Sequence, residues 1–459
     1  YKVRSASPLF NGHYQQHVPH ADLGYYSIEE CSILEKQAQM LKTAGMHGLV
    51  FYHYWFSGRL ILEKAAQILL ANPQVDLPFC FCWANENWTK RWDGEDQEVL
   101  LAQNYSREDA KAFIEYLIPF FRDSRYIKVN NRPMLIVYRP SSMEMSTEYV
   151  SIWKEVCLQH GLEEPYVVAT LTRGATSPEP YGMDAALERP LNDWTDGAVP
   201  DIRADLPTYS TLNGSVLDYS KVADFYSKKE VATDFTYLRS VVPVWDNTPR
   251  YKSAAYLLHD YSNLKFQQWL DSALRDSSIR LPEEEQFLVI NAWNEWAEGA
   301  HLEPDERHGY AYLNAVGRAL AGHSFFGAQP DPSIRFVTRF RSGLFEELER
   351  RPFTAALFVH GLRANLSSSG LLLHADDLPA KAFFERNGLA FELSLHQEDS
   401  TTLHVDQAVF LPPNALATLA AHARRFAGYR VVANHKNDPD LFSNHANLCA
   451  TAPEGFAPA

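Results

Sequence analysis

The chain has 459 residues and a formal net charge of −15, with 46% hydrophobic and 22% charged residues. This length exceeds that of one ordinary domain, so we expect two domains, one of them large. The acidic charge argues against nucleic acid or an anionic membrane surface as a partner, because both need a basic face. No apolar stretch approaches the roughly 18 residues that cross a bilayer, so no membrane span is expected.

The five cysteines, at positions 31, 80, 82, 157 and 449, form no disulfide pattern. Their arrangement favours a reducing compartment, and we therefore expect a cytoplasmic protein. Cys80 and Cys82 flank Phe81 in an apolar run, where a strand would place both thiols on one face as small hydrophobic groups. No second Cys or His pair stands at zinc-finger spacing, so we expect no metal and no cofactor.

Helical and strand signals alternate from residue 27 to about 321. A capping box, Ser27-Ile28-Glu29-Glu30, predicts a first helix that ends at Gly45. The apolar run from Gly48 to Trp55 then predicts a strand covered on both faces. The cycle repeats, with strands predicted at 78–84, 133–138, 166–171, 185–187, 241–245 and 287–293 and helices near 61–71, from about 107, and near 146–159, 219–229, 262–276 and 309–321. Residues 190–218 indicate a long loop or insertion.

Seven strands alternating with helices predict a parallel sheet. The sequence has no Gly-rich phosphate-binding turn, and clusters of polar and aromatic residues follow one strand after another. Sites distributed over many strand ends are typical of a barrel. We therefore predict an α/β fold, a TIM-like (β/α)8 barrel over residues 1–322 with one strand unaccounted for. An open, doubly wound sheet is the alternative.

The composition changes at residues 323–333, HSFFGAQPDPS, which predict a linker rich in Gly and Pro. Beyond it, short β-prone runs at 355–359, 390–395 and 408–411 accompany a helix from Asn414 to Gly428. We interpret residues 334–459 as a small α+β domain whose sequence indicates no particular chemistry.

The strongest chemical motif is AWNEWAEGAHLEP, residues 292–304, which begins where the last predicted strand ends. A helical turn here would bring the side chains of Glu295 and Glu298 to about 5–6 Å from each other at Cβ. Two such carboxyl groups can hold different protonation states, as glycoside cleavage requires. The alternative is that the two glutamates cap a helix and pair with arginines on the surface. We predict that Glu295 and Glu298 are catalytic and that Trp293, Asn294 and His301 contact substrate.

A second cluster, WANENWTKRWDG, follows the strand at 78–84. Sugars bind to such mixtures of aromatic rings and polar side chains, since rings stack on sugar faces while amides, carboxylates and guanidinium groups bind hydroxyls. The alternative is an ordered loop whose polar groups satisfy one another. The predicted substrate contacts in this cluster are Trp83, Asn85, Glu86, Asn87, Trp88, Arg91, Trp92 and Asp93.

Further candidates stand at other strand ends, in Tyr52-His53-Tyr54-Trp55 and Trp245-Asp246-Asn247. By itself, His53 would more often be a hydrogen-bonded core histidine, and Asp246 and Asn247 could be turn residues beside a proline. The predicted substrate contacts in this group are Tyr52, His53, Trp55, Tyr138, Trp245, Asp246 and Asn247.

His301, Glu303, Asp305 and His308 also contain metal-ligating groups. Their spacing is irregular, so a solvated loop is the favoured interpretation over a metal site.

Long motifs make the chain, from about residue 8 to 320, resemble the WbsX-type proteins of bacterial polysaccharide gene clusters. The motifs are PLFNGHYQQHVPHADLGYY, FYHYWFSGRLILEK, PFCFCWANENWTKRWDG, VVPVWDNTPR and NAWNEWAEGAHLEPD. The barrel of that group is related to glycoside hydrolase family 99, the endo-α-mannosidases. The family normally has a first barrel strand upstream of PLF-x-GHY, so the resemblance implies either that this chain is a fragment or that its eighth strand comes from elsewhere.

The resemblance also implies roles for the two glutamates. Glu295 would be the base that acts on the sugar's own 2-hydroxyl to give a 1,2-anhydro intermediate, and Glu298 would be general acid and then base. Ala297 stands where the endomannosidases have His, and Ala300-His301 where they have Thr-Gln. These departures leave the identity of the sugar and its linkage open.

The leading functional hypothesis is a retaining glycoside hydrolase that cleaves α-mannose-like or rhamnose-like bonds of a bacterial oligo- or polysaccharide. A glycosyltransferase or transglycosylase in O-antigen or capsule assembly is the runner-up. A non-catalytic carbohydrate-binding barrel is the third, and it would not need both Glu295 and Glu298. The sequence does not indicate an oligomeric state.

Overall fold

The computed structural model describes residues 2–89, 99–190, 197–207 and 212–324, together with separate helical and strand segments between residues 335 and 451. The chain divides into two compact units, Tyr1–His323 and Ser324–Ala459. Each unit is described by itself below.

The first unit is built on a sheet of seven parallel strands whose neighbours follow the order of the chain. This arrangement confirms the predicted TIM-like α/β architecture. The strands are β1 (Leu49–Phe56), β2 (Phe79–Trp83), β3 (Arg132–Val137), β4 (Tyr166–Thr170), β5 (Ala185–Leu187), β6 (Thr236–Val241) and β7 (Leu288–Ile290). A short strand, Arg59–Ile61, folds back antiparallel onto the end of β1.

Helices connect the strands and bury their apolar stripes against the sheet. In α3, for example, Ser106 caps the first turn by accepting a hydrogen bond from the backbone N–H of Asp109, and Phe113, Leu117 and Phe120 face the core. The helices are α1 (Cys31–Thr43), α2 (Lys64–Ala71), α3 (Arg107–Phe121), α4 (Ser146–Gln159), α5 (Tyr219–Ser227), α6 (Asn263–Arg280) and α7 (Ala311–Ser324).

The position of β6 corrects the sequence prediction, which placed this strand at 241–245. The strand occupies Thr236–Val241 and includes Arg239, a residue that weighs against a buried strand. Arg239 is fully buried because Glu188, just after β5, pairs with it at 2.9 Å. A charge is accommodated inside a sheet when a partner of opposite charge is buried with it.

Two smaller expectations also need correction. The first helix begins at Cys31 after Glu30, without a side-chain cap, and the hydroxyl of Ser27 accepts a hydrogen bond from the N–H of Glu29 instead. The expected loop at 190–218 contains, in its described part, the strand Ser215–Asp218. This strand pairs in parallel with Tyr256–His259.

The sheet is open between its first and last strands. β1 and β7 do not pair with each other, and within the described residues no eighth strand joins them. A cavity of about 1050 Å³ lies there, lined by residues of both edges and by apolar side chains of α1, including Ile33 and Leu34. Inward-facing side chains of the strands line this cavity, together with some of the residues that follow them, including Arg189 after β5 and Glu295 after β7.

The second unit contains a sheet of four parallel strands in the order Glu392–Ser394, Leu371–His374, Arg335–Phe340 and Thr402–Ala408. It also contains a helix, Leu378–Arg386, and an antiparallel pair, Arg430–Asn434 with Asn447–Thr451. The strand predicted at 390–395 matches the first of these. The strand predicted at 355–359, the helix predicted at 414–428 and most of the strand predicted at 408–411 lie outside the described residues. None of the helices that the structure describes has the length and apolarity needed to cross a membrane.

Candidate active site

The two glutamates of the main motif lie on a short hairpin that follows β7. Asn294–Glu295 pairs antiparallel with Ala300–His301, and a single 3-10 turn, Trp296–Glu298, connects the two. The expected helical turn is therefore one turn within a hairpin. Gly299 ends the turn with φ of 60°, a conformation that glycine adopts without strain.

Arg250 joins the two carboxyl groups. It lies on a short helix, Thr248–Tyr251, that follows β6. One terminal nitrogen donates to Glu298 Oε1 at 2.9 Å, and the other donates to Glu295 Oε2 at 2.8 Å. Since both nitrogens belong to one planar guanidinium group, the two carboxyl groups are held side by side.

The protonation of Glu295 is shifted by its surroundings. Burial removes water from the carboxyl group of Glu295, and the negative charge of Glu298 disfavours a second negative charge beside it. Both effects raise the pKa of Glu295 and outweigh the positive charge of Arg250, which lowers it. Its side chain nevertheless keeps 40% of its surface exposed, whereas Arg250 keeps 13%. Glu295 is thus a carboxyl group with a raised pKa that an incoming molecule can reach.

Glu86 contributes a third carboxyl group near this pair. Burial raises its pKa, although Arg139 donates to it at 2.6 Å and opposes the rise. Asn85 is buried beneath them. Its side chain accepts a hydrogen bond from the N–H of Arg139 at 2.7 Å and donates to the carbonyl of the same residue at 2.8 Å. Asn85 therefore positions Arg139 and does not itself line the cleft, contrary to the prediction from the sequence.

Asp246 supports the hairpin from below. It is buried, and its carboxylate receives hydrogen bonds from His13 at 2.7 Å and from Gln15 at 2.6 Å. Burial alone would raise the pKa of Asp246. The hydrogen bond from His13 and the electrostatic effects of His13 and His17 outweigh burial, and the pKa lies below its ordinary value. The backbone N–H of Asp246 also donates to the carbonyl of Glu298 at 2.8 Å. Asp246 is therefore a positioning residue and not a substrate contact.

The segment of residues 10–26, here called the N-terminal segment, is hydrogen-bonded to the residues that end the hairpin and follow it; these contacts are called the clamp. His17 Nδ1 lies 2.9 Å from His301 Nε2, and His301 Nδ1 contacts the carbonyl of Glu303 at 3.0 Å. Tyr26 donates to the Glu303 carboxylate at 2.8 Å. His301 also stacks on Trp296, with ring centres 3.9 Å apart. His301 is completely buried, so it belongs to the support of the hairpin and does not contact substrate.

The same cluster corrects the expectation of a solvated loop after His301. Glu303 and Asp305 are completely buried, and His308 approaches Asp305 at 3.1 Å. His17, His301 and Asp305 bring one potential ligand atom each within 4.8 Å of one another. These atoms have the chemistry of metal ligands, but hydrogen bonds and ion contacts inside the cluster already account for their burial.

Strand alternation separates the predicted aromatic contacts into two groups. On β1, Tyr52 and Tyr54 line the cavity. Tyr138, just after β3, contacts Tyr52, and half-buried Trp88 contacts Tyr54. Several other aromatic candidates are buried in the core, where His53, Trp55 and Trp83 pack against Phe113 of α3. The predicted substrate contacts that are buried and do not line the cavity are His53, Trp55, Trp83, Trp245 and Asn247. Trp293 is also largely buried, but it lines the cavity as predicted for a substrate contact.

The other predicted contacts are divided between the surface and the undescribed residues. Asn294 is exposed and donates to the hydroxyl of Tyr26, and Asn87 is exposed and accepts from the N–H of Gln103. Arg91, Trp92 and Asp93 lie outside the described residues.

Sequence reasoning missed the arginines of the site. Arg250, Arg139 and Arg189 each follow a strand, from β6, β3 and β5 respectively. The only available signal was their position after predicted strands, because a single arginine in a loop is otherwise typical of any surface.

Comparisons with known proteins are consistent with the motifs. A family model described as "Glycosyltransferase WbsX" matches residues 1–316. The uncharacterized protein WxcX of Xanthomonas campestris pv. campestris is 36% identical over 319 residues, which make up 69% of this chain and 45% of WxcX. The chain therefore spans less than half the length of the curated relatives that it matches.

Two solved structures resemble the chain more distantly. A glycoside hydrolase-like protein has 12% identity and a TM-score of 0.46, with 69% of this chain and 95% of that chain covered. The GH99 endo-alpha-mannosidase from Bacteroides thetaiotaomicron has 13% identity and a TM-score of 0.46, with 70% and 91% covered.

Proposed function

Because the chain belongs to the family described as glycosyltransferase WbsX, we propose that it is a carbohydrate-active enzyme, and specifically a retaining glycoside hydrolase. Its substrate is an oligo- or polysaccharide with α-mannose-like or rhamnose-like linkages. The observation that carries this proposal is the bridge from Arg250 to both Glu295 and Glu298. It holds two carboxyl groups together at the end of a barrel strand, where one reacting centre can meet both.

In the proposed mechanism, Glu295 takes the proton of the sugar's 2-hydroxyl as that oxygen attacks the anomeric carbon. The bond from this carbon to the leaving oxygen breaks, and Glu298 donates its proton to that oxygen. In the second step Glu298 takes a proton from water as the water oxygen attacks the anomeric carbon, and Glu295 returns its proton to the 2-oxygen. Two inversions give net retention.

The surroundings of the pair suit these roles. The first step uses the pair with Glu298 protonated and Glu295 ionised. In that state burial still acts to raise the pKa of Glu295, which makes its carboxylate a stronger base towards a hydroxyl than an ordinary carboxylate. Arg250 compensates the negative charge of the pair without donating a proton, since a guanidinium stays protonated. The rings of Tyr54 and Trp88, 5.1 Å apart, form an edge-to-face pair on which a sugar ring can pack.

The decisive experiment compares Glu295→Gln and Glu298→Gln with the surface control Glu35→Gln on α1. Each active-site change should lower the hydrolysis of α-mannosides or α-rhamnosides by about 10²–10⁴-fold, while sugar binding and thermal stability persist. An activated substrate with a good leaving group should partly rescue Glu298→Gln but not Glu295→Gln. Wild-type rates in both variants would refute the catalytic assignment.

A 2-deoxy substrate tests the route through the sugar's own hydroxyl. It should not be cleaved, because it lacks the nucleophile. Ready cleavage would contradict the anhydro-sugar step and favour direct attack by a carboxylate.

A glycosyltransferase is the second candidate, and the description of the family model favours it. Incubation with sugar nucleotides and an acceptor saccharide distinguishes the two, since a transferase releases nucleotide and extends the acceptor. Binding without turnover under all conditions would instead indicate a non-catalytic carbohydrate-binding barrel.

A further inference from the structure

Arg189 lies two residues after the end of β5, at the same end of the sheet as the glutamate pair. It lines the cavity together with Glu295. Its guanidinium carbon is 5.6 Å from the centre of the Tyr138 ring, and its positive charge acts on both Glu295 and Glu298. Arg189 therefore faces the space in which the proposed substrate is bound.

The carboxylate next to Arg189 in the chain is engaged elsewhere. Glu188 pairs with Arg239 at 2.9 Å and with Lys229 at 2.9 Å. The Nε of Arg189 is buried and, among the described residues, has no hydrogen-bond partner. Glu188 is therefore not the ion-pair partner of Arg189.

The carboxylates of the cleft have their own partners as well. Arg250 binds Glu295 and Glu298, and Arg139 binds Glu86. In the singly protonated state of the pair that the proposed mechanism uses, Arg250 balances the one negative charge shared by Glu295 and Glu298, and Arg139 balances Glu86. Among these groups, the positive charge of Arg189 is then the one that no carboxylate balances.

A guanidinium group that is partly shielded from water forms its strongest interactions with an anion that accepts two of its coplanar N–H hydrogen bonds. Building on the glycosidase function proposed above, we propose that the substrate carries a carboxylate beside the scissile bond, as in a hexuronic acid, and that Arg189 binds it. A carboxylate has one negative charge, whereas a phosphate ester carries nearly two and would be repelled more strongly by Glu295 and Glu298. Arg189 is then the residue that selects acidic over neutral sugars.

The test measures binding by calorimetry with the whole chain. The probes are α-linked disaccharides that contain mannuronic, glucuronic or galacturonic acid, each paired with its carboxyl-reduced counterpart. Wild-type protein should bind at least one acid about tenfold or more tightly than its reduced form, the range of a charge-assisted hydrogen bond. This ratio should fall to about one in Arg189→Met, stay intermediate in Arg189→Lys and remain unchanged in the surface control Arg122→Met.

Several outcomes would overturn the assignment. Equal affinity of the wild type for every acid and its reduced form would do so, as would an acid preference that survives in Arg189→Met. Arg189-dependent binding of a nucleoside diphosphate without any uronate preference would also overturn it and would indicate a sugar-nucleotide donor. If Arg189→Met fails to unfold cooperatively, Arg189→Lys replaces it. An acid-to-reduced affinity ratio in Arg189→Lys equal to that of the wild type would exclude bidentate binding by the guanidinium. Each titration is repeated in the Glu298→Gln background, where cleavage is slow and sugar binding persists. The affinity ratio is thus obtained apart from turnover and does not depend on the hydrolysis tests.

Discussion

The backbone N–H of Asp246 donates to the carbonyl of Glu298 at 2.8 Å, and this hydrogen bond fixes the glutamate turn to the segment that follows β6. The contact requires close approach at the next residue. A β-carbon on Gly299 would lie 2.7 Å from the carbonyl oxygen of Asp246. The spacing of the two candidate catalytic carboxylates therefore depends on a residue without a side chain.

Gly299→Ala should consequently lower both stability and activity. Gly24→Ala is a matched control, since Gly24 has φ of 61° and a β-carbon added there would meet no atom within 4 Å. The control should lose about 1 kcal/mol of unfolding free energy, from the left-handed conformation alone. Gly299→Ala should lose about 1–3 kcal/mol more because of the contact with Asp246. Equal losses in urea unfolding would show that the turn can move away from Asp246.

Arg250→Met should shift the pH dependence of activity. Arg250 favours the ionised form of Glu295, so its removal raises the pKa of Glu295 further. Since the proposed base acts when ionised, the acidic limb of the pH–rate profile should move to higher pH, and the limb in wild type should already lie above 4.5, the ordinary pKa of glutamic acid. A limb that stays in place or moves to lower pH would contradict the role of Arg250.

Trp88→Ala should weaken the binding of oligosaccharide by about 1–3 kcal/mol while the fold survives, because Trp88 is half-buried at the cleft. Trp83→Ala, in the same sequence cluster, should instead destabilise the fold by about 3–5 kcal/mol, because its ring is completely buried. Calorimetric titration and thermal unfolding of both variants check the contrast. Reversed effects would mean that Trp88 is the core residue and Trp83 the sugar contact.

Glu188→Gln should destabilise the protein by about 1–3 kcal/mol, because it removes the nearer carboxylate partner of the buried Arg239 and leaves Asp276, at 3.4 Å, as its counter-charge. The exposed pair Lys64–Glu29, at 2.8 Å, provides the comparison. Lys64→Met should leave the free energy of unfolding nearly unchanged, because water screens this exposed pair. Chemical denaturation measures both, and a small effect in Glu188→Gln would show that Asp276 and water compensate for the lost carboxylate.

The sequence predicted the existence and order of the strands more reliably than the direction of their side chains. The run from Tyr52 to Trp55 is buried on both faces, so apolar character alone did not reveal that His53 and Trp55 point to α3 while Tyr52 and Tyr54 point to the cavity. In a strand with one solvated face, the alternation of apolar and polar residues shows which side chains point to the core.

Polar residues inside elements caused the other errors. Arg239 and Ser240 obscured β6, since their partner Glu188 is distant in sequence and only the fold brings it near. The glutamate pair was predictable because both members stand in one motif. Its partner Arg250 was not predictable, because it stands 45 residues away from Glu295.

The clamp between the N-terminal segment and the hairpin makes the site one of the last parts of this unit that can form during synthesis. His17 meets His301 across 284 positions, and Pro19 bridges to Asp305. Pairings this distant cannot form until residue 305 has left the ribosome, by which time the codons for all seven strands have been read. A nascent chain that ends between residues 290 and 305 therefore contains all seven strands but cannot have the assembled site.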